Sequence, residues 1–458
     1  MIKQFISQPR NQKINLRTPI PGPHSRVLRE KEDQYLAPGL QGFAVMAGIA
    51  VDHAQGSTIT DVDGNTLIDI IGGIGVNGLG HSHPVWVKAM QSQVQQVSVG
   101  SFTSRPRVQL LERMADHEPA PGMNRLQLYS GGSEAVESAL RLAKSYTKKN
   151  EFIGFWGGFH GKTLGALSLM GSEFKRDFGP LAPGTVSVPY ANCYRCPLQK
   201  KPRDCGMACV ELAKKQIKMN SSGNVAAVLV EPMQGTAGNI IPPDDYLPAV
   251  SDLTKSMGAL LIVDEMITGF GRTGKFWGSE HSGVQPDIIT LGKQFGGGFP
   301  VSGVLSRDDI VQSKPWSNIS GSSSSYGGNP LAATAVNISL KIIEEENLVE
   351  NSRVVGNHFL KRLMELEERY SFVDGARGRG LFLGIEMVKD KRTREPISTL
   401  ACQQIFNACL KRGLLTMGYA PSFRIQPAMT IDNATVDHAV EVLDEVFRIA
   451  ENENWKDI

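Results

Sequence analysis

The chain has 458 residues, 21% of them charged, with a formal net charge of only +2. That length allows one large domain or two ordinary ones with a substantial buried core. The balanced charge gives no electrostatic basis for binding nucleic acid, and the longest apolar stretch, around Phe43 to Val51, is too short to span a bilayer. The N-terminal MIKQFISQPR lacks the apolar centre of a secretory signal. We therefore expect a cytoplasmic location with the 6 cysteines mostly reduced.

The N-terminal part of the chain predicts an arm and a small group of strands. The first thirty-odd residues are polar and rich in proline, which is typical of an extended arm. From Gly42 to Asp69 the pattern is strand-like, with Asp63-Gly64 as a hairpin turn. Gly73–Gly78 formally matches the dinucleotide fingerprint. Since no acidic residue follows about twenty positions on and no βαβ strand precedes it, we predict instead a backbone-permissive loop beside a pocket.

Two helices and a strand come next, followed by a turn of small residues. The helices are predicted over Pro84–Val97 and Arg107–His117, and the strand over Leu126–Tyr129. The strand runs into SGGSE (130–134), which opens another helix. The free N–H groups and the dipole of a helix N-terminus favour a phosphate, although an ordinary cap has the same sequence.

The middle of the chain alternates strands with helices over residues 125 to 305, which predicts a mainly parallel sheet covered on both faces. Glu151–Phe155 is one strand and runs into WGGFHG, where Phe159 could stack on a flat ring or simply belong to the core. Ala226–Val230 is another strand and ends at Glu231.

Two further strand ends carry an acid and a lysine. The apolar run Ala259–Val263 ends at Asp264, and the run Asp287–Leu291 ends at Gly292-Lys293. Because ligands bind at the carboxyl ends of strands in open α/β sheets, the two side chains can face one pocket. Pyridoxal phosphate chemistry needs this pair, since a lysine forms a Schiff base with the cofactor and an aspartate keeps its pyridine nitrogen protonated. Taken singly, either residue could be merely structural.

After about residue 335 the pattern changes to long amphipathic helices with a few strands, which predicts a second, smaller domain joined by the N-terminal segment. The sequence indicates a strand over Gly378–Met387 and a helix over Cys402–Arg412. We predict a large domain over residues 75–335, and a small one from residues 1–74 and 336–458. Arg424 interrupts an apolar stretch, so its guanidinium should meet a carboxylate from the protein or from a ligand.

Four motifs occur in a fixed order: YSGGSEAVESALRLAK, VEPMQG, LLIVDEMITGFGRTG and TLGKQFGGGFPVSG. This set resembles the class III (subgroup II, ω-type) aminotransferases over roughly residues 25 to 450. The resemblance implies the type I pyridoxal phosphate transferase fold, an α/β architecture whose large domain has a mainly parallel sheet covered by helices, with a smaller α+β domain. It also implies a homodimer (or a dimer of dimers) with active sites at the subunit interface. From the balanced charge and the short apolar stretches we expect neither nucleic acid nor membrane as a partner.

The resemblance further implies a role for each matching residue. Lys293 would form the Schiff base with pyridoxal 5'-phosphate and then carry a proton, while Asp264 would pair with the pyridine nitrogen. The other cofactor contacts would come from Gly132, Ser133, Phe159, His160, Glu231 and Ser325. Ser325 would reach the phosphate of the second subunit, where the family usually has threonine; the hydroxyl donor is retained.

The substrate is less well defined. Arg424 matches a carboxylate-binding arginine of the family. Members specific for 4-aminobutyrate or ornithine typically have a glutamate at the position of Thr236 and commonly glutamine at that of Ile267. Arg424 should therefore remain available to the carboxylate of a 2-oxo acid.

We expect transfer of an amino group from an amine or ω-amino acid donor to a 2-oxo acid, pyruvate or 2-oxoglutarate, by a ping-pong mechanism. Two alternatives stay open. One is an amino acid racemase or epimerase on the same fold, and the other is a non-enzymatic relative retained for binding. The sequence does not identify the amino donor, because donor specificity would lie in loops such as Arg10–Pro38 and Ser98–Arg107.

Four of the six cysteines lie within seventeen residues, at Cys193, Cys196, Cys205 and Cys209. Their spacing could bind zinc or an iron–sulfur cluster, but it fits no single zinc-ribbon template. Free thiols and local disulfides are the other interpretations, and we assign no metal ligand.

Overall fold

The computed structural model describes residues 13–457 of the chain. They form two compact units. The terminal unit comprises the chain up to Val87 and from Glu350 onward, and the central unit is Lys88–Val349. From the sequence we predicted a large domain over residues 75–335 and a small domain made of the two ends of the chain. That assignment of domains stays a prediction. The part of the predicted arm before residue 13 lies outside the described residues.

The α-helices are, in chain order, α1 Pro23–Tyr35, α2 Gly42–Ala47, α3 Gly72–Gly75, α4 Pro84–Val94, α5 Arg105–Ala115, α6 Gly132–Thr147, α7 Leu164–Ser168, α8 Ala208–Asn220, α9 Tyr246–Ser256, α10 Asp308–Val311, α11 Pro330–Glu345, α12 Leu348–Arg369, α13 Thr399–Leu410 and α14 Asn433–Asn452. The strands are β1 Val51–Gln55, β2 Thr58–Asp61, β3 Thr66–Asp69, β4 Arg125–Tyr129, β5 Glu151–Phe155, β6 Thr185–Val188, β7 Val225–Val230, β8 Leu260–Asp264, β9 Ile288–Leu291, β10 Ser302–Ser306, β11 Val373–Arg379, β12 Phe382–Asp390, β13 Glu395–Pro396, β14 Leu414–Leu415 and β15 Ser422–Ile425.

The central unit is built on a seven-stranded sheet in the order β4-β10-β9-β8-β7-β5-β6. The strands from β9 to β6 run parallel, and β10 is antiparallel to both of its neighbours. Every residue of β7 and β8 is buried, as expected for parallel strands with both faces covered. The predicted α/β class with a mainly parallel sheet is therefore confirmed.

Helix α6 provides much of the cover on one face of this sheet. Its apolar residues recur at helical spacing, and Val136, Ala139 and Ala143 pack in one cluster with Ile262 of β8 and Val304 of β10. Complete burial of a larger aliphatic side chain, such as that of Val136 or Ile262, stabilises a fold by roughly 1.5–3 kcal/mol. The packing therefore holds the start of α6 against the sheet.

The terminal unit contains two small sheets. One has the order β1-β2-β3-β14, and the other has β11-β12-β13 with β15 paired to β12. The predicted turn at Asp63-Gly64 is confirmed, because β2 and β3 pair antiparallel around it and Gly64 has a φ of 81°. In the glycine-rich loop, a Cβ on Gly72 would lie 2.6 Å from the carbonyl oxygen of Gln426, so the backbone there approaches another segment closely.

Two predictions about the N-terminal segment were wrong. Pro23–Tyr35 is a helix rather than part of an extended arm, and Gly42–Ala47 is a short helix rather than a strand. The first turn of α1 is capped from a distance, because the carboxylate of Asp63 accepts hydrogen bonds from the backbone N–H groups of His24 (2.7 Å) and Ser25 (2.9 Å). The local sequence around Pro23 contains no sign of that cap.

The single strand predicted over Gly378–Met387 was also wrong. The chain reverses at Gly380, which has a φ of 53°, and forms two antiparallel strands, β11 and β12. Glycine adopts this backbone without the steric cost of a Cβ. Among the helices of residues 13–457, none combines the length and the apolar character needed to cross a bilayer.

Candidate active site

Most of the predicted site residues lie just beyond the carboxyl ends of strands in the central sheet. Asp264 ends β8, Glu231 follows β7, and Lys293 comes two residues after β9. Residues 156–163 follow β5, and the turn after β4 opens α6. Since β5, β7, β8 and β9 are parallel, their carboxyl ends lie along one edge of the sheet. The topology therefore collects these side chains at one edge.

A deeply buried polar contact at this edge joins His160 to Asp264. The imidazole Nδ1 lies 2.7 Å from the carboxylate Oδ2, and both side chains are only 1% exposed. The other carboxylate oxygen, Oδ1, accepts a hydrogen bond of 3.1 Å from the backbone N–H of Met266. Both oxygens of Asp264 are thus held in fixed positions by the protein.

The protonation of His160 follows from this pairing. Burial is the largest influence and lowers the pKa of the imidazole, since it disfavours the charged ring. The hydrogen bond and charge of Asp264, together with the charge of Glu231, outweigh it, so the pKa of His160 is raised above its ordinary value. The imidazole of His160 therefore holds its proton more tightly than an exposed histidine does.

Glu231 joins two loops of the site. Its carboxylate accepts hydrogen bonds from the backbone N–H groups of Phe159 (2.9 Å) and Gly235 (3.0 Å). Burial raises the pKa of Glu231, and the nearby His160 lowers it in part. Behind it, the hydroxyl of Tyr190 donates to the backbone carbonyl of Glu231 at 3.1 Å. Glu231 therefore fixes the backbone that carries Phe159.

The start of α6 is shaped by tertiary contacts. The side chain of Glu134 accepts hydrogen bonds from the N–H groups of Ser130 (3.1 Å) and Gly131 (3.3 Å). The hydroxyl of Ser133 accepts one of 3.3 Å from the N–H of Lys162, on the loop after β5. Helix α6 is 16 residues long, so its first turn presents a helix dipole as well as N–H groups.

Lys293 has an unusual backbone. Its φ is 49°, in the left-handed region that residues with a Cβ rarely adopt, and it opens the short 3₁₀ turn Lys293–Gly296. Its side chain belongs to the same strand-end region as Asp264, because β8 and β9 are neighbours, with Asp264 paired in register with Thr290.

Two predicted site residues lie elsewhere. Ser325 is exposed, on the segment between α10 and α11. Arg424 is half-buried on β15 of the terminal unit, paired in register with Gly384 of β12 and bridged to Met417. The roles of both residues stay predictions.

Sequence reasoning missed the part played by Met266. Its sulfur lies beside two glycines: a Cβ on Gly132 would lie 3.1 Å from it and a Cβ on Gly292 2.7 Å. Met266 thus spaces the start of α6 from the turn that carries Lys293. The only sequence signal was the glycine at both positions, and glycine is common in turns of every kind.

The four clustered cysteines line one small cavity together with Tyr190. All six cysteines of the chain are free, so local disulfides are absent from the described chain. Burial, followed by the charges of Cys209, Cys205 and Cys196, raises the pKa of Cys193 to about 11. Within residues 13–457, no three or more His, Cys, Asp or Glu side chains are arranged to hold a metal ion. Free thiols are the interpretation that this arrangement favours.

Comparison with known proteins identifies the class. The sequence profile of the family described as aminotransferase class-III matches residues 42–447. The chain belongs to this family, and the predicted reaction class, a pyridoxal-phosphate-dependent transaminase, is confirmed together with its cofactor.

Three relatives illustrate the range of the family. The chain is 33% identical to the leucine/methionine racemase of Thermococcus litoralis, over 88% of this chain and 91% of that one. It is 31% identical to the 4-aminobutyrate aminotransferase of Mycobacterium leprae, over 95% and 98%. Its fold is similar to the crystal structure of an amine transaminase from an uncultivated Pseudomonas species in a form with pyridoxal phosphate bound. The TM-score is 0.85 at 29% identity, over 91% of this chain and 98% of that one.

The contact between His160 and Asp264 generates a prediction about pH. In the cofactor-free protein, Asp264→Asn should lower the pKa of His160, because the charge of Asp264 is lost while burial still disfavours the charged ring and only the charge of Glu231 still raises the pKa. Histidine-selective NMR titration measures this pKa directly. Asp287→Asn, which removes a strand-end carboxylate that pairs with Arg307 instead, should leave it unchanged.

The same shift predicts the direction of a stability change. A histidine whose pKa is raised by folding contributes stability that is complete below its unfolded pKa and is lost as the pH rises through its folded pKa. The loss of unfolding free energy caused by His160→Gln in the cofactor-free protein should therefore be larger at about pH 5.5 than at about pH 8.5. Denaturant unfolding at the two pH values measures it, and an equal loss at both would contradict the assigned protonation.

Proposed function

We propose that this transaminase moves the amino group of an amine or ω-amino acid donor to a 2-oxo acid, pyruvate or 2-oxoglutarate, by a ping-pong mechanism. The observation that carries the assignment of the site is the buried pair of His160 and Asp264 at the strand end next to Lys293. A buried carboxylate whose two oxygens are both held by hydrogen bonds is suited to holding a proton on a pyridine nitrogen.

The remaining residues fit the same cofactor. Pyridoxal 5'-phosphate supplies an aldehyde to which an amine can be joined and a ring that withdraws electrons. Gly132 and Ser133, in the first turn of α6, would hold its phosphate. Phe159 would cover one face of the ring and exclude water, with its backbone fixed by Glu231.

Lys293 would be the residue that moves the proton. Its amine would bond to the cofactor in the resting enzyme and, once displaced by the donor, would take a proton from the donor carbon and return it at the cofactor. Asp264 would hold the ring nitrogen protonated throughout, and His160 would keep Asp264 oriented.

The acceptor is argued from Arg424 and from the loop after β7. At Thr236 that loop carries a hydroxyl, where some family members have a glutamate whose carboxylate could pair with the arginine. The neighbouring Ile267 is buried and apolar. Because neither of these two residues is acidic, neither competes with the carboxylate of a 2-oxo acid for the guanidinium. The same two residues weaken, without excluding, an assignment of 4-aminobutyrate as the donor on the model of the M. leprae relative.

We also propose that the enzyme works as a homodimer, or a dimer of dimers, in the cytoplasm. The exposed hydroxyl of Ser325 is then supplied to the phosphate of the second subunit. Tyr326 beside it is 64% exposed and Ile319 on the same segment is fully exposed, as side chains that pack against a second copy would be in the isolated chain. Free cysteines suit a reducing compartment.

Amino acid racemisation is the second candidate, since a racemase is among the relatives. The enzyme should release the oxo product of its donor only when a 2-oxo acid is present, with parallel-line ping-pong kinetics. Chiral chromatography of single amino acids incubated with the enzyme and no oxo acid decides between the two. Conversion of one enantiomer to the other without oxo acid would make the enzyme a racemase.

Lys293→Ala should lower turnover by at least about 10⁴-fold, because both the covalent and the proton-transfer role are lost. Cofactor should still bind through the phosphate contacts, as equilibrium dialysis would show. Lys149→Ala is the matched control, since the amine of Lys149 donates to backbone carbonyls just after α9. Borohydride reduction followed by peptide mapping should place the adduct of the wild-type protein on Lys293, and an adduct on another lysine would refute the assignment.

Arg424→Ala should raise the KM for the 2-oxo acid by about 10- to 100-fold, the effect of losing a charged hydrogen bond. The half-reaction with a simple amine that lacks a carboxylate should change far less. Arg412→Ala, which removes an ion pair with Glu445 on the surface of the same unit, is the control. An equal loss with every substrate would argue against the proposed role.

A further inference from the structure

The backbone of Lys293 is held in a conformation that its own sequence does not favour. At a φ of 49°, the Cβ of a lysine crowds the neighbouring carbonyl oxygen, and such a residue persists only when its surroundings impose it. The preceding Gly292 is extended, with a φ of 175°, so the change of direction falls on Lys293 itself. The two residues that follow make contacts that hold this backbone in place.

Gln294, the next residue, is almost completely buried and binds through both ends of its amide. Its Nε2 donates to the backbone carbonyl of Gly269, and its Oε1 accepts from Nη2 of Arg272 at 3.4 Å. Both partners belong to the loop that follows Asp264. The side chain of Gln294 thus ties the turn carrying the lysine to the loop carrying the aspartate.

Phe295 strengthens the same connection. Its ring stacks on Phe270, with centroids 5.0 Å apart and planes 21° from parallel, and both side chains are fully buried. Phe270 is itself left-handed, with a φ of 60°. Gln294 and Phe295, which directly follow Lys293, therefore both bind the segment Gly269–Arg272, and that segment contains the second left-handed residue, Phe270.

The loop after Asp264 is also held by hydrogen bonds where it begins, at Glu265. The carboxylate of Glu265 is buried and accepts hydrogen bonds from the N–H groups of Gly278 (2.9 Å) and Ser279 (2.8 Å). It also accepts from the hydroxyl of Thr268. The loop that binds Gln294 is therefore held in place at Glu265, the residue next to Asp264.

We propose that Gln294 is a positioning residue for Lys293: its two amide hydrogen bonds hold the lysine backbone in the left-handed conformation that directs the amine to the cofactor. This inference rests on the proposed role of Lys293. Gln294 touches neither cofactor nor substrate in this assignment and acts only through the residue before it.

The test compares variants of Gln294 by the rate of cofactor capture. Gln294→Met keeps the length and packing of the side chain but removes both hydrogen bonds, and Gln294→Glu keeps the acceptor for Arg272 but loses the donor to Gly269. Ser339→Ala is the control, since it removes a buried hydrogen bond to a carbonyl within α11 of the same unit.

The first measurement is the rate at which the cofactor-free protein forms a borohydride-trappable link with pyridoxal phosphate. The second is the pH midpoint of the visible absorbance of the bound cofactor.

Gln294→Met should slow the capture by about tenfold or more, since small misplacements of a reacting group are costly. It should also shift the absorbance midpoint, and Gln294→Glu should show smaller changes in both measurements. Ser339→Ala should lose stability to denaturant without changing either. If the Met variant does not fold, the Glu variant decides.

A folded Gln294 variant whose capture rate and midpoint match the wild type, with only its stability reduced, would overturn this inference alone. A wild-type adduct mapped to a lysine other than Lys293 would instead overturn the proposed function, and this inference with it.

Discussion

The site depends on one interaction, the buried hydrogen bond between Asp264 and His160. Taking a carboxylate out of water is costly, and an unpaired one would be protonated or would destabilise the fold. The imidazole offsets that cost by hydrogen bonding one carboxylate oxygen, and the backbone N–H of Met266 binds the other. Glu231 then connects this pair to the loop of Phe159, so the electrostatics and the covering of the site are set by the same few contacts.

The parallel sheet makes this arrangement possible, because it brings a residue of the proposed site to each of several strand ends. Between those ends the chain must come close together, and small residues allow it. Met266 fills the space between Gly132 and Gly292, while Ser133 meets the loop after β5 through the N–H of Lys162. The start of α6, the aspartate and the lysine are therefore spaced by direct packing rather than by flexible loops.

The features that were missed were decided either by a distant segment or by the backbone conformation of a single residue. Helix α1 begins where the carboxylate of Asp63 caps it, nearly forty residues along the chain. The strand predicted over Gly378–Met387 is a hairpin because Gly380 turns in the left-handed region. Gln294 looked like an ordinary residue after the lysine, and only its partners Gly269 and Arg272 reveal what it holds.

From the sequence alone, the class of fold could be inferred from apolar runs of strand length, which are local patterns. The family and the cofactor could be inferred from the resemblance carried by four motifs, and the placing of Asp264 and Lys293 at neighbouring strand ends from the apolar runs that precede them. The tertiary structure alone decided which partner each polar group has: that His160 bonds Asp264, that Glu231 holds the loop of Phe159, and that the backbone of Lys293 is left-handed. Such contacts join residues tens to more than a hundred positions apart, and no local pattern records which distant groups will be desolvated together.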